Sequence, residues 1–185
     1  MNNYIFGYGS LVNKRSRGPT AGSELIGPAR AHGIKRGWKV KDSNETVLGV
    51  VEMPGAVCNG VVVSVSEEEL AKYDKRETPS EYKRVELSAK DIELLNGQNP
   101  IGTFWTYIAV NPKEPDAEHP IPQSYIDVVL NGFLDFGIDF AKEFIDSTDG
   151  WKYVADDRNN PNASKNIERR TEIDALLHYG VQEAS

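Results

Sequence analysis

Tyr4-Ile5-Phe6-Gly7-Tyr8-Gly9-Ser10-Leu11 is an apolar, β-prone run that breaks into two glycines and a serine within ten residues of the start. A strand entering a sharp turn delivers the residues after Tyr8 at the end of a sheet. Gly9 carries no side chain to obstruct a ligand. Successive backbone N–H groups in such a turn can line a concavity for an anion or a carbonyl oxygen. The same pattern also serves a chain that merely turns, and both readings stand at this point. Two nucleotide motifs are excluded. A dinucleotide fingerprint needs a further glycine three residues after Gly9, where Val12 stands. A phosphate-binding Walker loop needs Gly-Lys-Ser/Thr, which does not follow.

Outward from this run, several short β segments follow with glycine punctuation. Ala29 to Lys41 ends in an apolar/basic alternation. Thr46 to Met53 reads as a strand halted by the Pro54-Gly55 turn signal, and Ala56 to Val65 resumes as another, with Gly60 marking a bulge or close packing. Asn13 to Gly22 is basic and polar, a loop or short helix. These segments predict an α/β (α+β) chain built on a small mixed β-barrel with flanking helices.

Ser66-Glu67-Glu68-Glu69 opens a helix, with Ser66 and Glu69 placed for a capping box and three acids at the positive end of the dipole. Pro79 disfavours helix past Thr78, which puts Glu77 at or just beyond the helix end. Tyr82 to Leu87 and Thr103 to Val110 read as strands, with a short turn or helix at Asp91–Asn96 between them. Pro112 to Pro122 reads as an extended connection. Ser124 and Asp127 have capping-box spacing before an amphipathic helix, and Asp139 is placed to cap another. Residues 156–166 read as an exposed loop and Ile167 to Leu177 as a terminal helix. The organisation expected is one domain over 1–149 and a C-terminal extension, 150–185, packed on it.

The 185 residues suffice for one domain with a core. A formal charge of −7 argues against a nucleic-acid partner. The single cysteine, Cys58, excludes an internal disulfide and reads as a small apolar strand residue. His32, His119 and His178 lack metal-ligand spacing, so neither a metal nor a cofactor is expected. No secretory signal or long apolar run is present, which predicts a cytoplasmic protein without a membrane partner.

One ordered combination goes further. Phe6-Gly7-Tyr8-Gly9-Ser10-Leu11 is followed by Leu70-Ala-Lys-Tyr-Asp-Lys-Arg-Glu77 and then by Tyr82-Lys-Arg-Val-Glu-Leu87. This resembles the γ-glutamylcyclotransferase superfamily, which carries a Tyr-Gly-Ser turn and a later glutamate before a Tyr-x-Arg-Val strand. Gly33-Ile-Lys-Arg36 and Pro122-Gln-Ser-Tyr125, leading to Gly132, are similar to two further family segments. Ile34 departs from an aromatic position, and Val12-Asn13 lacks the tryptophan of the glutathione-specific branch.

The resemblance implies an enzyme that cyclises the γ-glutamyl group of a small amine or peptide conjugate to 5-oxoproline, releasing the amine. It implies Glu77 as general acid/base, and substrate binding by Tyr8, Gly9, Ser10, Leu11, Tyr82 and Tyr125. For Glu77 the plain alternative is a solvated surface carboxylate. For the three tyrosines it is ordinary packing, most of all for Tyr125. Arg36 and Arg84 read as solvated strand-edge residues and stay outside the site. A non-catalytic γ-glutamyl-binding module on the same fold is the rival function; the leaving amine and the oligomeric state stay open.

Overall fold

In the computed structural model, which describes residues 2–18, 24–77, 81–160 and 169–183, the opening run forms strand β1 (Asn3–Gly7), buried throughout. It is buried because it lies inside the sheet. It pairs antiparallel with β3 (Glu45–Val65) on one side and parallel with β6 (Thr103–Ala109) on the other. The sheet runs β4 (Tyr82–Leu87), β6, β1, β3, β2 (Glu24–Asp42), β5 (Ile92–Leu94), with β8 (Thr148–Asp149) beside β2.

The barrel expected from the sequence is corrected here. Among the described residues the sheet is open, with β4 and β5 at opposite ends of its order. Closure requires strand lengths and stagger that match. Strands β2 and β3 have 19 and 21 residues and outrun the 5 residues of β1.

The Pro54-Gly55 turn signal does not end a strand either. Ile34 pairs with Glu52 and His32 with Val57, so Met53 to Ala56 bulge out opposite Gly33 while pairing resumes on both sides. Gly33 and Gly55 both have φ of +83°, the left-handed conformation such a bulge needs. Gly60 marks close packing: a Cβ there would lie 2.3 Å from the Gly7 carbonyl oxygen.

After β1 come a 3-10 turn (Ser10–Val12) and the short helix α1 (Lys14–Arg17), whose N–H groups at Arg15 and Ser16 are capped by Asn13 Oδ1. The rest of the predicted Asn13–Gly22 segment, from residue 19, lies outside the described residues. Helix α2 (Glu67–Arg76) forms with its full Ser66/Glu69 capping box and ends on Glu77, whose N–H bonds to the Tyr73 carbonyl. Thr78 and Pro79 lie outside the described residues. A 3-10 turn at Ala89–Asp91 leads into β5 where a turn or helix was expected.

Helix α3 (Gln123–Leu134) follows β7 (Ile121–Pro122), and α4 (Ile138–Asp146) follows it. Two capping expectations fail. Pro122 is the N-cap of α3 and Gly137 that of α4, neither with a side-chain cap bond. Asp127 is instead drawn into the interior by an arginine 31 residues away, and Asp139 is an acid of the first turn of α4.

Phe133 stacks on Phe140 and lies tilted against Phe144, and Trp151 bridges Phe144 to Trp38. Phe133 and Phe144 are fully buried, and each such ring contributes about 1.5–3 kcal/mol. Beyond residue 150, β9 (Val154–Ala155) pairs with β7, and Ile173 and Leu176 of α5 (Arg170–Glu183) are buried in the same core. Of the predicted Ile167–Leu177 helix, residues 167 and 168 lie outside the described residues, as do 161–166 of the predicted loop. No described helix is long and apolar enough to cross a membrane.

Candidate active site

The end of β1 opens into a pocket of about 40 Å³. It is lined by Phe6 through Leu11, Leu48 of β3, Glu77 at the end of α2, Tyr82 at the start of β4, Tyr107 of β6 and Tyr125 of α3. The seven residues singled out from the sequence, scattered from Tyr8 to Tyr125, thus meet around one space. Leu48 and Tyr107 are additional walls. The alternation of β6 marks Tyr107 as a strand residue but not which pocket it faces.

Glu77 reaches this space because the Ser66 capping box fixes where α2 begins and Glu77 is the residue on which it stops. Its side chain is only 18% exposed. Burial pushes its carboxyl above the usual carboxylate range, and the Arg76 guanidinium, with Nε 3.5 Å from Oε1, opposes the shift without cancelling it. Arg76 also donates to Ser10 Oγ at 3.1 Å and to the Ser16 carbonyl at 3.1 Å. It therefore ties the end of α2 to the turn after β1. The sequence offered only its charge beside Glu77 as a sign.

The tyrosines of the pocket are neutral, and three of them are donors. Tyr8 is pushed well up by burial and donates to the Tyr107 carbonyl at 2.7 Å. Tyr82, also raised by burial, donates to the Leu48 carbonyl at 2.7 Å. Tyr107 is raised by burial and by its bond to Asp74 Oδ1, at 2.9 Å. Tyr125 is pushed up to about 12 by burial and by Glu77, against hydrogen bonds from Ser10 that lower it. Tyr8 and Tyr82 spend their protons on backbone carbonyls and act as walls, whereas Tyr125 addresses the turn itself.

Arg36 corrects the expectation of a solvated arginine: it is 0% exposed. Its guanidinium lies 4.2 Å from the Phe144 ring centroid and donates to Tyr8 O, Asn59 O and Oδ1, Phe144 O, Ser147 Oγ and Thr148 Oγ1. The bond to Tyr8 O, at 3.1 Å, holds the peptide that leads into Gly9. Arg84 is held by Asp74 at 2.6 Å and packs on Trp105, outside the pocket lining. Cys58 is buried, and burial pushes its thiol up, which suits a packing residue. No group of three or more metal-ligating side chains occurs among the described residues.

A model of the family described as "Gamma-glutamyl cyclotransferase, AIG2-like" matches residues 5–126. The chain belongs to this family. The matched span takes in every residue named above as a pocket wall and stops at the first turn of α3. Among solved structures, one titled "Gamma-glutamyl cyclotransferase" matches with a TM-score of 0.68 at 15% identity, over 96% of this chain and 99% of its own. A Homo sapiens structure titled as uncharacterized protein loc79017 matches with a TM-score of 0.67 at 16% identity, over 95% and 98%. YkqA from Bacillus subtilis matches with a TM-score of 0.60 at 19% identity, over 77% of this chain and 52% of its own. At these identities the likeness is one of fold, an open mixed sheet with flanking helices. No curated protein matches the sequence.

Proposed function

We propose that the protein is a γ-glutamylcyclotransferase-type enzyme that converts a γ-glutamyl amine or peptide to 5-oxoproline and the free amine, with Glu77 as general acid/base. The observation that carries this reading is the Glu77 carboxylate, largely buried and raised, in one pocket with the Gly9–Leu11 turn.

The substrate carries its own nucleophile. Its α-amine is largely protonated at neutral pH and must lose that proton to solvent before it can attack the γ-carbonyl carbon. Attack forms the ring C–N bond and a tetrahedral oxyanion. The ring nitrogen then releases a proton, Glu77 passes it to the leaving nitrogen, and the original C–N bond breaks. Backbone N–H groups of the Gly9–Leu11 turn receive the oxyanion or hold the α-carboxylate. Alignment of amine and carbonyl supplies most of the acceleration, up to about 7–11 kcal/mol. A carboxylate raised toward the working pH is a better proton carrier than an ordinary one.

The test is incubation with a panel of γ-glutamyl amines and dipeptides, glutathione included, with an assay for 5-oxoproline. Release from at least one member is expected, and its identity names the leaving group. Tight binding of panel members without turnover would replace the enzyme by a binding module.

A further inference from the structure

Helix α3 begins without a cap of its own. Pro122 occupies the N-cap and offers no side-chain acceptor, although the first N–H groups of any helix need one. The acceptor comes from 33 residues further along the chain. Asp157 Oδ1 accepts from the Ser124 backbone N–H at 2.7 Å, and Oδ2 accepts from the Ser124 hydroxyl at 2.5 Å. Ser124 is the second residue of the helix, a position whose N–H a capping side chain normally takes.

Asp127, 0% exposed, is gripped in the same way. It accepts from Arg158 Nε at 2.7 Å and Nη2 at 2.6 Å, and from Gln123 Nε2 at 3.0 Å. Arg158 also donates to Asp174 of α5 at 2.7 Å, which makes the grip part of the C-terminal segment. Tyr125 stands between the two anchored residues. Its ring meets Trp38 edge-on at 5.9 Å, and its hydroxyl lies 3.5 Å from where a Cβ on Gly9 would sit. Ile173 and Leu176 supply the apolar packing of α5 on the core. The polar contacts fall instead on either side of the one pocket residue that α3 supplies.

We propose that Asp157 and Arg158 are positioning residues for the pocket: by capping and clamping the first turn of α3 they hold Tyr125 against the Gly9-Ser10 turn. The segment after residue 150 therefore completes the site without entering it. The kinetic part of this proposal rests on the cyclotransferase reading; the structural part does not.

The experiment compares full-length wild type with Asp157→Ala and Asp157→Asn by site-resolved amide hydrogen exchange and by kcat/KM. In Asp157→Ala, exchange at Ser124–Ile126 and at Ser10–Leu11 rises roughly 5- to 30-fold, the factor that loss of one cap represents, and kcat/KM falls by a similar factor. Asp157→Asn keeps an acceptor for the Ser124 N–H and restores most of both. Adding Tyr125→Phe to Asp157→Ala costs less than the two separate losses combined, because both act through one side chain. Arg158→Lys keeps the charge, loses the two-pronged grip, and gives the same pattern in a variant that folds if Asp157→Ala does not.

Faster exchange confined to residues 154–160 and 170–178, with Ser10–Leu11 unmoved, overturns the proposal. So does full additivity with Tyr125→Phe. If wild type releases no 5-oxoproline from any substrate, the cyclotransferase reading fails separately, and exchange at Ser10–Leu11 still decides the positioning claim.

Discussion

Replacing Gly9 by alanine adds one methyl group facing the pocket. Gly9 has φ of −130°, so the left-handed strain that makes many turn glycines irreplaceable does not arise. The new Cβ would meet Leu48 Cδ1 at 3.4 Å and Tyr125 Oη at 3.5 Å, ordinary contact distances that need no rearrangement. Crowding around the new methyl should therefore cost little stability. The pocket is another matter. A water-sized group needs about 10–15 Å³ of such space, so 40 Å³ holds about three, and the methyl removes roughly one. It also stands between Tyr125 and the turn whose N–H groups are assigned to the oxyanion or the α-carboxylate. Displacing such donors costs on the order of 10²-fold in turnover. Thermal unfolding and 5-oxoproline release measured on one Gly9→Ala preparation separate the effects. A melting temperature lowered by many degrees with unchanged kcat/KM would refute the assignment and leave Gly9 a turn residue only.

Three further outcomes are expected. Glu77→Gln lowers kcat about 10²- to 10⁴-fold, yet melts no lower than wild type at neutral pH. Its raised carboxyl binds more protons folded than unfolded, so wild type loses stability as pH climbs from the ordinary carboxylate range through the raised value, and glutamine removes that slope in melting curves taken against pH. Arg76→Gln removes the one charge that pulls Glu77 down, so the acidic limb of the kcat/KM profile moves to higher pH; a limb that stays in place breaks the link between them. Arg36→Met strands buried carbonyl acceptors just after β1, on β3 and at the end of α4, and chemical denaturation should report a loss of about 1–3 kcal/mol for each acceptor left unpaired.

The parts of the molecule legible in its sequence are those set by neighbours along the chain. The Ser66/Glu69 box set the start of α2, and Pro79 put its end near Glu77, where it stops. Tyr82–Leu87 formed as read. What escaped was decided by residues distant in sequence. Arg36 sits among Lys35, Lys39 and Lys41 and looks solvated, yet its acceptors come from three other segments. Ser124 and Asp127 have capping-box spacing, but Asp157 and Arg158 outcompete the local arrangement. Pro54-Gly55 reads as an end because the pairing that resumes at Val57 depends on a partner strand, not on the proline. Sheet closure depends on relative strand length and stagger, which no local pattern encodes.

The interior position of β1 has a consequence for how the chain is made. β1 is synthesised first, and its antiparallel neighbour is complete once Val65 has emerged. Its parallel neighbour is not: Asn3 waits for Thr103. At typical synthesis rates that delay is about 2–8 s, during which an apolar strand keeps one row of N–H and C=O groups unpaired. Unpaired edges of this kind recruit other strands. A chain truncated between residues 66 and 102 should therefore be a preferred chaperone client, and Tyr8, which bonds to Tyr107, has no hydroxyl acceptor until that strand arrives.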